Sequence, residues 1–181
     1  MPRYVLTGTP GAGKTAILRQ LECSGQRVVE EAATDVIALE HARGRPDPAA
    51  CSGFTDKIVT LQRQRELLAG PVGADGAVFF DRSPVCTLAL SRFLGRAPSA
   101  LLAAEVDRVV RERVYATTVF FVRSLGFVTP TAARRITLPD SIAFEVVHEQ
   151  TYRELGFRLV DVPAGPVCDR VWLIYREAGL G

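Results

Sequence analysis

Residues 8–15 read Gly8-Thr9-Pro10-Gly11-Ala12-Gly13-Lys14-Thr15, the pattern G-x-x-x-x-G-K-T, and their flanks decide how that pattern is taken. Arg3 to Thr7 (RYVLT) before them reads as a short buried strand, and Ala16 to Glu22 (AILRQLE) after them reads as a helix. A glycine-rich turn between strand and helix lets successive N–H groups point at one anion, and the helix N-terminus adds its partial positive charge. Gly8, Thr9, Pro10, Gly11, Ala12, Gly13, Lys14 and Thr15 are therefore expected to bind a nucleotide's phosphates. Lys14 is expected at the β- and γ-phosphates, and the Thr15 hydroxyl on Mg²⁺. Lys14 and Lys57 are the two lysines of a chain that otherwise uses arginine.

Working outward, strand and helix signals alternate from end to end, which predicts a parallel sheet covered on both faces. Strands are expected at Arg27–Glu30, Ala77–Asp81, Thr117–Val122 and Arg158–Val162 besides the first. Helices are expected at Glu31–Ala42, Thr55–Ala69, Pro84–Leu94, Ser99–Val114, Pro139–Leu155 and Val167–Ala178. Ile58, Leu61 and Leu68 mark the apolar stripe of the second of these, and Trp172 is expected in the core from the last. Arg43–Gly53 is irregular and rich in Gly, Pro and Ala. The fold class expected is α/β: a three-layer α/β/α unit with a five-stranded parallel sheet. Residues 1–181 form a single domain in this reading, with a lid loop near 123–138.

Composition narrows the partners. The chain has 181 residues, 48% hydrophobic and 23% charged, with 22 basic and 20 acidic residues for a net charge of +2. That size suits one domain with a proper core, and so even a balance argues against nucleic-acid or membrane-surface binding. Cys23, Cys51, Cys86 and Cys168 are scattered without a C-x-x-C, which suggests neither a zinc site nor a disulfide framework. With no leader or membrane span read from the sequence, a cytoplasmic location is expected.

Three further groups bear on chemistry. Asp81 closes an apolar strand, where a carboxylate holds Mg²⁺ directly or through water, and Arg82 follows it as a bidentate anion holder. The less favoured reading is an Asp81 that caps the next helix, with Arg82 as its salt-bridge partner. Glu30 and Glu31 end the second strand at the same crevice; Glu31 is preferred as the carboxylate that takes a proton from, or orients, an acceptor hydroxyl, with Asp35 the next choice. Solvated acids at a helix N-terminus are the competing reading. Arg123, Arg134 and Arg135 flank the lid loop and could cover a γ-phosphate. Gln62, Arg63, Arg65 and Glu66 could line an acceptor pocket or simply form a solvated face. His41 and His148 are isolated, with no ligand spacing.

These residues together resemble a known group. V-L-T-G-x-P-G-x-G-K-T, V-V-E-E-A-A-T-D-V-I, L-Q-x-x-x-E and V-F-F-D-R, with the tail T-Y-R-E-L-G-F-R-L-V-D-V-P and V-x-D-R-V, are similar to small AAA-type ATP-binding P-loop domains. That group is kin to ribosylnicotinamide-kinase domains and to nucleoside and nucleotide kinases. The resemblance implies a sheet of nucleoside-monophosphate-kinase type and ATP–Mg²⁺ on Gly8, Gly13, Lys14 and Thr15. It further implies Glu31 near the acceptor, Asp81 and Arg82 at the site, and Arg134 and Arg135 in a lid. The Arg43–Gly53 insert, Cys86 and Thr87 match nothing in the group and are expected to shape the acceptor pocket.

The resulting expectation is an ATP-dependent, Mg²⁺-requiring phosphotransferase acting on a small-molecule acceptor. The acceptor and the oligomeric state stay open, a homodimer included. A nucleotide-binding regulator without an acceptor is the alternative. A mechanical ring ATPase is disfavoured because Arg82, not a glutamate, follows Asp81. A guanine-specific switch is disfavoured because the chain contains no asparagine with which to build an Asn-Lys-x-Asp motif.

Overall fold

The structure, a computed structural model, describes residues 2–70, 76–126 and 137–180. Its strands are β1 (Arg3–Thr7), β2 (Arg27–Val29), β3 (Val78–Asp81), β4 (Thr118–Val122) and β5 (Arg158–Val162). The helices are α1 (Lys14–Cys23), α2 (Ala32–Ala42), α3 (Phe54–Leu68), α4 (Pro84–Phe93), α5 (Ala100–Arg111), α6 (Leu138–Glu154) and α7 (Val167–Ala178), with a single 3-10 turn at Pro48–Ala50 among the described residues. The sheet order is β2-β3-β1-β4-β5 and every pairing is parallel. The expected five-stranded parallel α/β sheet is what forms.

Parallel strands need covering on both faces, and their residues divide between two cores by simple alternation. Tyr4 and Leu6 of β1, Phe79 of β3, and Phe120 and Val122 of β4 face α1 and α7, where they meet Ile17, Leu21 and Ile174. Tyr4 anchors this side, with ring centroids 5.6 Å from Phe79 and 5.5 Å from Phe120. Val5, Val78, Phe80 and Val119 face the other way and pack with Val85, Val109 and Tyr152 of α4, α5 and α6. α2 and α3 form a separate small core through Ala32, Val36, Phe54 and Ile58, off the end of the sheet.

The chain runs from β1 out to β2, returns to β3, then crosses β1 to reach β4 and β5. Its direction of travel therefore reverses about β1, and the crevice above the carboxyl ends of β1 and its neighbours is where such sheets bind ligands. The loop 8–13 leaves β1 at that point.

Two side chains differ from the sequence reading. Trp172 is 63% exposed, because the buried stripe of α7 runs through Arg170, Val171 and Ile174, and Trp172 stands about a third of a turn away from it. Its ring instead lies under the Arg176 guanidinium, 5.0 Å away. Leu68 is 84% exposed, since α3 buries Ile58, Val59, Gln62 and Glu66 and its last turn projects past the core. β2 also stops at Val29, leaving Glu30 outside the strand and Glu31 as the residue capping α2.

Gly8 is held by β4. A Cβ there would sit 2.2 Å from the Val122 carbonyl oxygen, and its φ of +129° is one that side chains rarely adopt. Gly8→Ala is thus expected to destabilise the fold by more than about 2 kcal/mol in urea unfolding, since contact and backbone strain act together.

Candidate functional site

The loop turns through glycines at positive φ, with Gly11 at 87° and Gly13 at 82°, and Gly13 passes directly into α1. Lys14, the first residue of α1, folds back over this loop. Its Nζ donates to the carbonyls of Gly8 and Thr9, each at 2.9 Å, and the side chain is only 6% exposed. Burial chiefly, and then the nearby Arg82 charge, lower its pKa to about 8; Asp81 and Glu31 pull the other way. Thr9 and Ala12 are buried within the loop, Pro10 reaches the larger hollow described below, and Thr15 is exposed.

Two hollows meet beside the loop. The smaller, about 190 Å³, is lined by Thr15, Glu31, Asp81, Glu30, Asp35 and Arg19 among others. Its oxygen donors are the Thr15 and Thr34 hydroxyls and carboxylates, and no cluster of three or more His, Cys, Asp or Glu able to hold a metal unaided occurs among the described residues. That donor set fits Mg²⁺, which takes one or two protein oxygens and completes its shell with phosphate and water. The larger hollow, about 490 Å³, is walled by Ile37, Phe54, Ile58, Leu90, Phe93 and Phe144 and carries Glu31, Arg82 and Gln62 as polar groups.

Glu31 lines both hollows. Its Oε1 lies 2.5 Å from Arg82 Nε, and Thr34 Oγ1 donates to its Oε2 at 3.0 Å. Burial alone would raise the carboxyl's pKa, but the Arg82 and Lys14 charges more than offset it, so Glu31 stays ionised below the usual carboxylate range. Arg65 on α3 fixes the backbone beneath it, donating to the carbonyls of Glu31 at 2.6 Å and Glu30 at 3.1 Å. Arg82 takes the left-handed conformation, φ 72°, unusual for a side-chain-bearing residue, which turns it from β3 toward Glu31. Behind it a buried cluster ties three elements together: Ser83 Oγ with Tyr152 OH at 2.6 Å, and Cys86 Sγ with both Tyr152 OH and Thr7 Oγ1 at 3.1 Å.

Other candidates sort themselves by partner. Gln62 enters the large hollow, is 4% exposed, and its Oε1 has no hydrogen-bond partner. Arg63 pairs with Glu105 at 2.8 Å and Glu66 pairs with Arg108 at 2.6 Å, both away from the hollow, while Asp35 is exposed and bound by Arg65. Arg123 was expected near phosphate; instead Glu145, Glu149 and Asp161 hold it at 3.1, 2.9 and 2.6 Å, with its guanidinium over the Phe121 ring. Arg134 and Arg135 lie outside the described residues. His41 lines the large hollow, whereas His148 is fully buried beside Phe144, and that burial holds its pKa well below the usual value.

The 43–53 insert supplies Pro46, Asp47, Pro48 and Ala49 to the lining of the large hollow, and Cys86 and Thr87 line it too. The insert is anchored through buried Glu40, which receives Arg43 at 3.1 Å, Lys57 at 2.9 Å, and Arg45. Arg96 donates to the Ala49 carbonyl from α4's end.

One residue at the loop escaped the sequence reading. Arg170 of α7 is 3% exposed and donates from Nη2 to the Ala12 carbonyl at 2.8 Å. The signal for it was present: an arginine on the stripe Val167, Arg170, Val171, Ile174 of an otherwise apolar helix face.

A family model described as an AAA domain matches residues 3–170. No curated protein sequence matches the chain. Among solved structures, the deoxyadenosine kinase of M. mycoides with bound dATP is similar at TM-score 0.60 and 14% identity, covering 98% of this chain and 99% of that one. The same kinase with dCMP and dCDP gives TM-score 0.63 at 14% identity, with 98% of each chain covered. NadR in complex with NAD and AMP-PNP gives TM-score 0.70 at 16% identity; it covers 99% of this chain, which spans half of NadR.

Lys14 generates a pH-dependent prediction. Its folded pKa of about 8 lies below that of an unfolded lysine, so between these values the unfolded chain binds more protons and stability rises with pH. Below about pH 8 the buried charge weighs on the empty protein in full. Lys14→Met is therefore expected to melt higher than wild type at pH 7, by an amount on the order of 3 kcal/mol at most, and the gap should close toward pH 10.5 in thermal denaturation.

The Glu40 anchor gives a second. Glu40→Gln weakens its three cationic contacts, and trypsin is expected to cut after Arg43 at least several-fold faster, read by mass spectrometry of timed digests.

Proposed function

The chain belongs to the AAA-domain family, and from that premise we propose that it is an ATP-dependent kinase that phosphorylates a hydroxyl of a nucleoside-like small molecule. The observation that carries the proposal is Glu31. It stands on the boundary between a hollow with the P-loop threonine and a strand-end aspartate, and a larger, mainly apolar hollow sized for a small organic acceptor. A carboxylate on that boundary is where a donor phosphate and an acceptor hydroxyl would meet.

In this reading the loop N–H groups and Lys14 hold the β- and γ-phosphates. Lys14 exchanges the Gly8 and Thr9 carbonyls for phosphate oxygens, which relieves the burial that lowers its pKa. Thr15 and Asp81 would hold Mg²⁺, which when bound neutralises charge on the transferring phosphate. Glu31, kept ionised by Arg82, accepts a hydrogen bond from the acceptor hydroxyl and aims its oxygen at the γ-phosphorus. As the new P–O bond forms and the bond to ADP breaks, the hydroxyl proton passes to Glu31 Oε, and Arg82 steadies the charge that builds on the phosphoryl oxygens.

The nucleoside-like acceptor is supported by the chemistry of the large hollow. Phe93 and Phe144 offer flat apolar surface, and the buried Gln62 Oε1 asks for an N–H or O–H donor from whatever fills the space. A heterocycle with an attached sugar satisfies both, and the fold's likeness to a deoxyadenosine kinase is in keeping with it.

Purified protein is expected to hydrolyse ATP slowly by itself and to consume it quickly with one class of nucleoside, yielding ADP and a phosphorylated product in equal amounts. Lys14→Ala should reduce turnover by about a thousandfold or more with the fold intact. Glu31→Gln should spare Mg-ATP binding and cut transfer about a hundredfold, while Asp81→Asn should weaken Mg²⁺-dependent binding itself. Brisk ATP hydrolysis with no phosphorylated product across a broad nucleoside and metabolite panel would overturn the kinase reading in favour of a nucleotide-binding regulator.

A further inference from the structure

Arg170 is an unusual thing to bury. It occupies the apolar stripe of α7, its Nε has no hydrogen-bond partner, its pKa is lowered by burial, and among the described residues no carboxylate forms an ion pair with it. The other buried or half-buried arginines near the sheet are matched: Arg82 by Glu31, and Arg108 by Glu66 and Glu105. A buried cation without a counter-charge is destabilising unless some state of the protein supplies one.

What Arg170 touches indicates which state that is. Its Nη2 donates to the Ala12 carbonyl at 2.8 Å, and its Nη1 lies 2.9 Å from where a Cβ on Gly13 would stand. Gly13 is required by its φ of +82°, and the guanidinium tip packs directly against it. The Ala12–Gly13 peptide is trans, so its C=O and N–H point in opposite directions. With the carbonyl drawn to α7 by Arg170, the Gly13 N–H is turned away from α7 and is free to face an anion in the loop.

We propose that Arg170 is a positioning residue of the nucleotide site: it sets the plane of the Ala12–Gly13 peptide so that the Gly13 N–H meets a phosphate oxygen, and its own unmatched charge is offset by that phosphate. The proposal rests on the reading of residues 8–15 as a nucleotide site. Its ligand class is the polyphosphate of a nucleoside triphosphate, approached through backbone from beneath the loop and not by side-chain contact.

The test compares the full chain as wild type, Arg170→Met and Arg170→Lys. The readouts are the melting temperature without nucleotide, Mg-ATP affinity by calorimetry at low and high KCl, and the Gly13 amide resonance on ATP addition. Arg170→Met is expected to melt within a few degrees of wild type without nucleotide, because an unmatched buried charge has been replaced by an apolar chain of similar length. Its Mg-ATP affinity should fall about tenfold, the size of a lost charge-assisted contact, and should depend less on KCl. The Gly13 amide should lose most of its ATP-induced shift while that of Thr15 persists. Arg170→Lys restores charge without the fork, so the KCl dependence should return and the affinity only in part.

Wild-type affinity and an unchanged Gly13 shift in Arg170→Met would overturn the proposal. So would an affinity loss matched by a large drop in the nucleotide-free melting temperature, with both restored in Arg170→Lys, since that describes a packing role alone. If Arg170→Met does not fold, Arg170→Lys decides: reduced affinity at a near-wild-type melting temperature supports the proposal, and unchanged affinity ends it. Failure of the wild-type protein to bind ATP would instead bring down the nucleotide-site reading, a result distinct from any of these.

Discussion

The ion pair between Glu31 and Arg82 joins the ends of two adjacent strands, and the arrangement of the site depends on it. Glu31 leaves β2 and caps α2; Arg82 leaves β3 in a left-handed turn; their side chains meet at 2.5 Å over the crevice. Without Arg82, Glu31 would keep the Thr34 hydroxyl but lose the charge that does most to lower its pKa against burial. Without Glu31, Arg82 would swing free on a strained backbone, beside a lysine whose charge is already disfavoured. The pair keeps one negative group on the boundary between the two hollows, and Arg65 and the Ser83–Cys86–Tyr152 cluster hold its two backbones in place.

The P-loop depends on a different kind of support. Gly8 is needed because β4's Val122 carbonyl presses against it, and Gly13 because the chain takes a φ of +82° there, with α7's Arg170 packed alongside. Lys14 fills the space above and, in doing so, accepts a lowered pKa. The empty protein therefore carries two poorly compensated cations, Lys14 and Arg170, around one short loop. On the proposed reading, a polyphosphate bound there would improve the electrostatics of the fold as well as the ligand's own.

Much of this was legible in the sequence, and the limits have physical reasons. The alternation of apolar strands with amphipathic helices announced the sheet, and β5 and α7 fall at Arg158–Val162 and Val167–Ala178 as read. Glycine spacing and the strand-end carboxylates marked the residues that now converge on the crevice. What could not be read was partnership across space. Nothing local in Arg123 distinguishes a phosphate ligand from the three-carboxylate clamp it forms, and Gln62 differs from Arg63 only in which way α3 happens to face. Trp172 was misjudged because its neighbours are apolar, although helical periodicity places it off the buried stripe. The same periodicity, applied strictly, would have flagged Arg170 on that stripe.

The Glu40 anchor divides the molecule's labour in a way the sheet does not. In the proposed kinase, phosphate chemistry is assembled from strand ends, where a shift in any one element disturbs the others. One side of the large hollow, by contrast, comes from a short segment fastened at one buried carboxylate by Arg43, Arg45 and Lys57. Pro48 is buried, but Pro46, Asp47 and Ala49 stand at or near the surface and can change in size and polarity while the Glu40 clip stays as it is. On the proposed reading, a lineage would exchange acceptors by rewriting these few residues, leaving the strand-end residues of the crevice untouched.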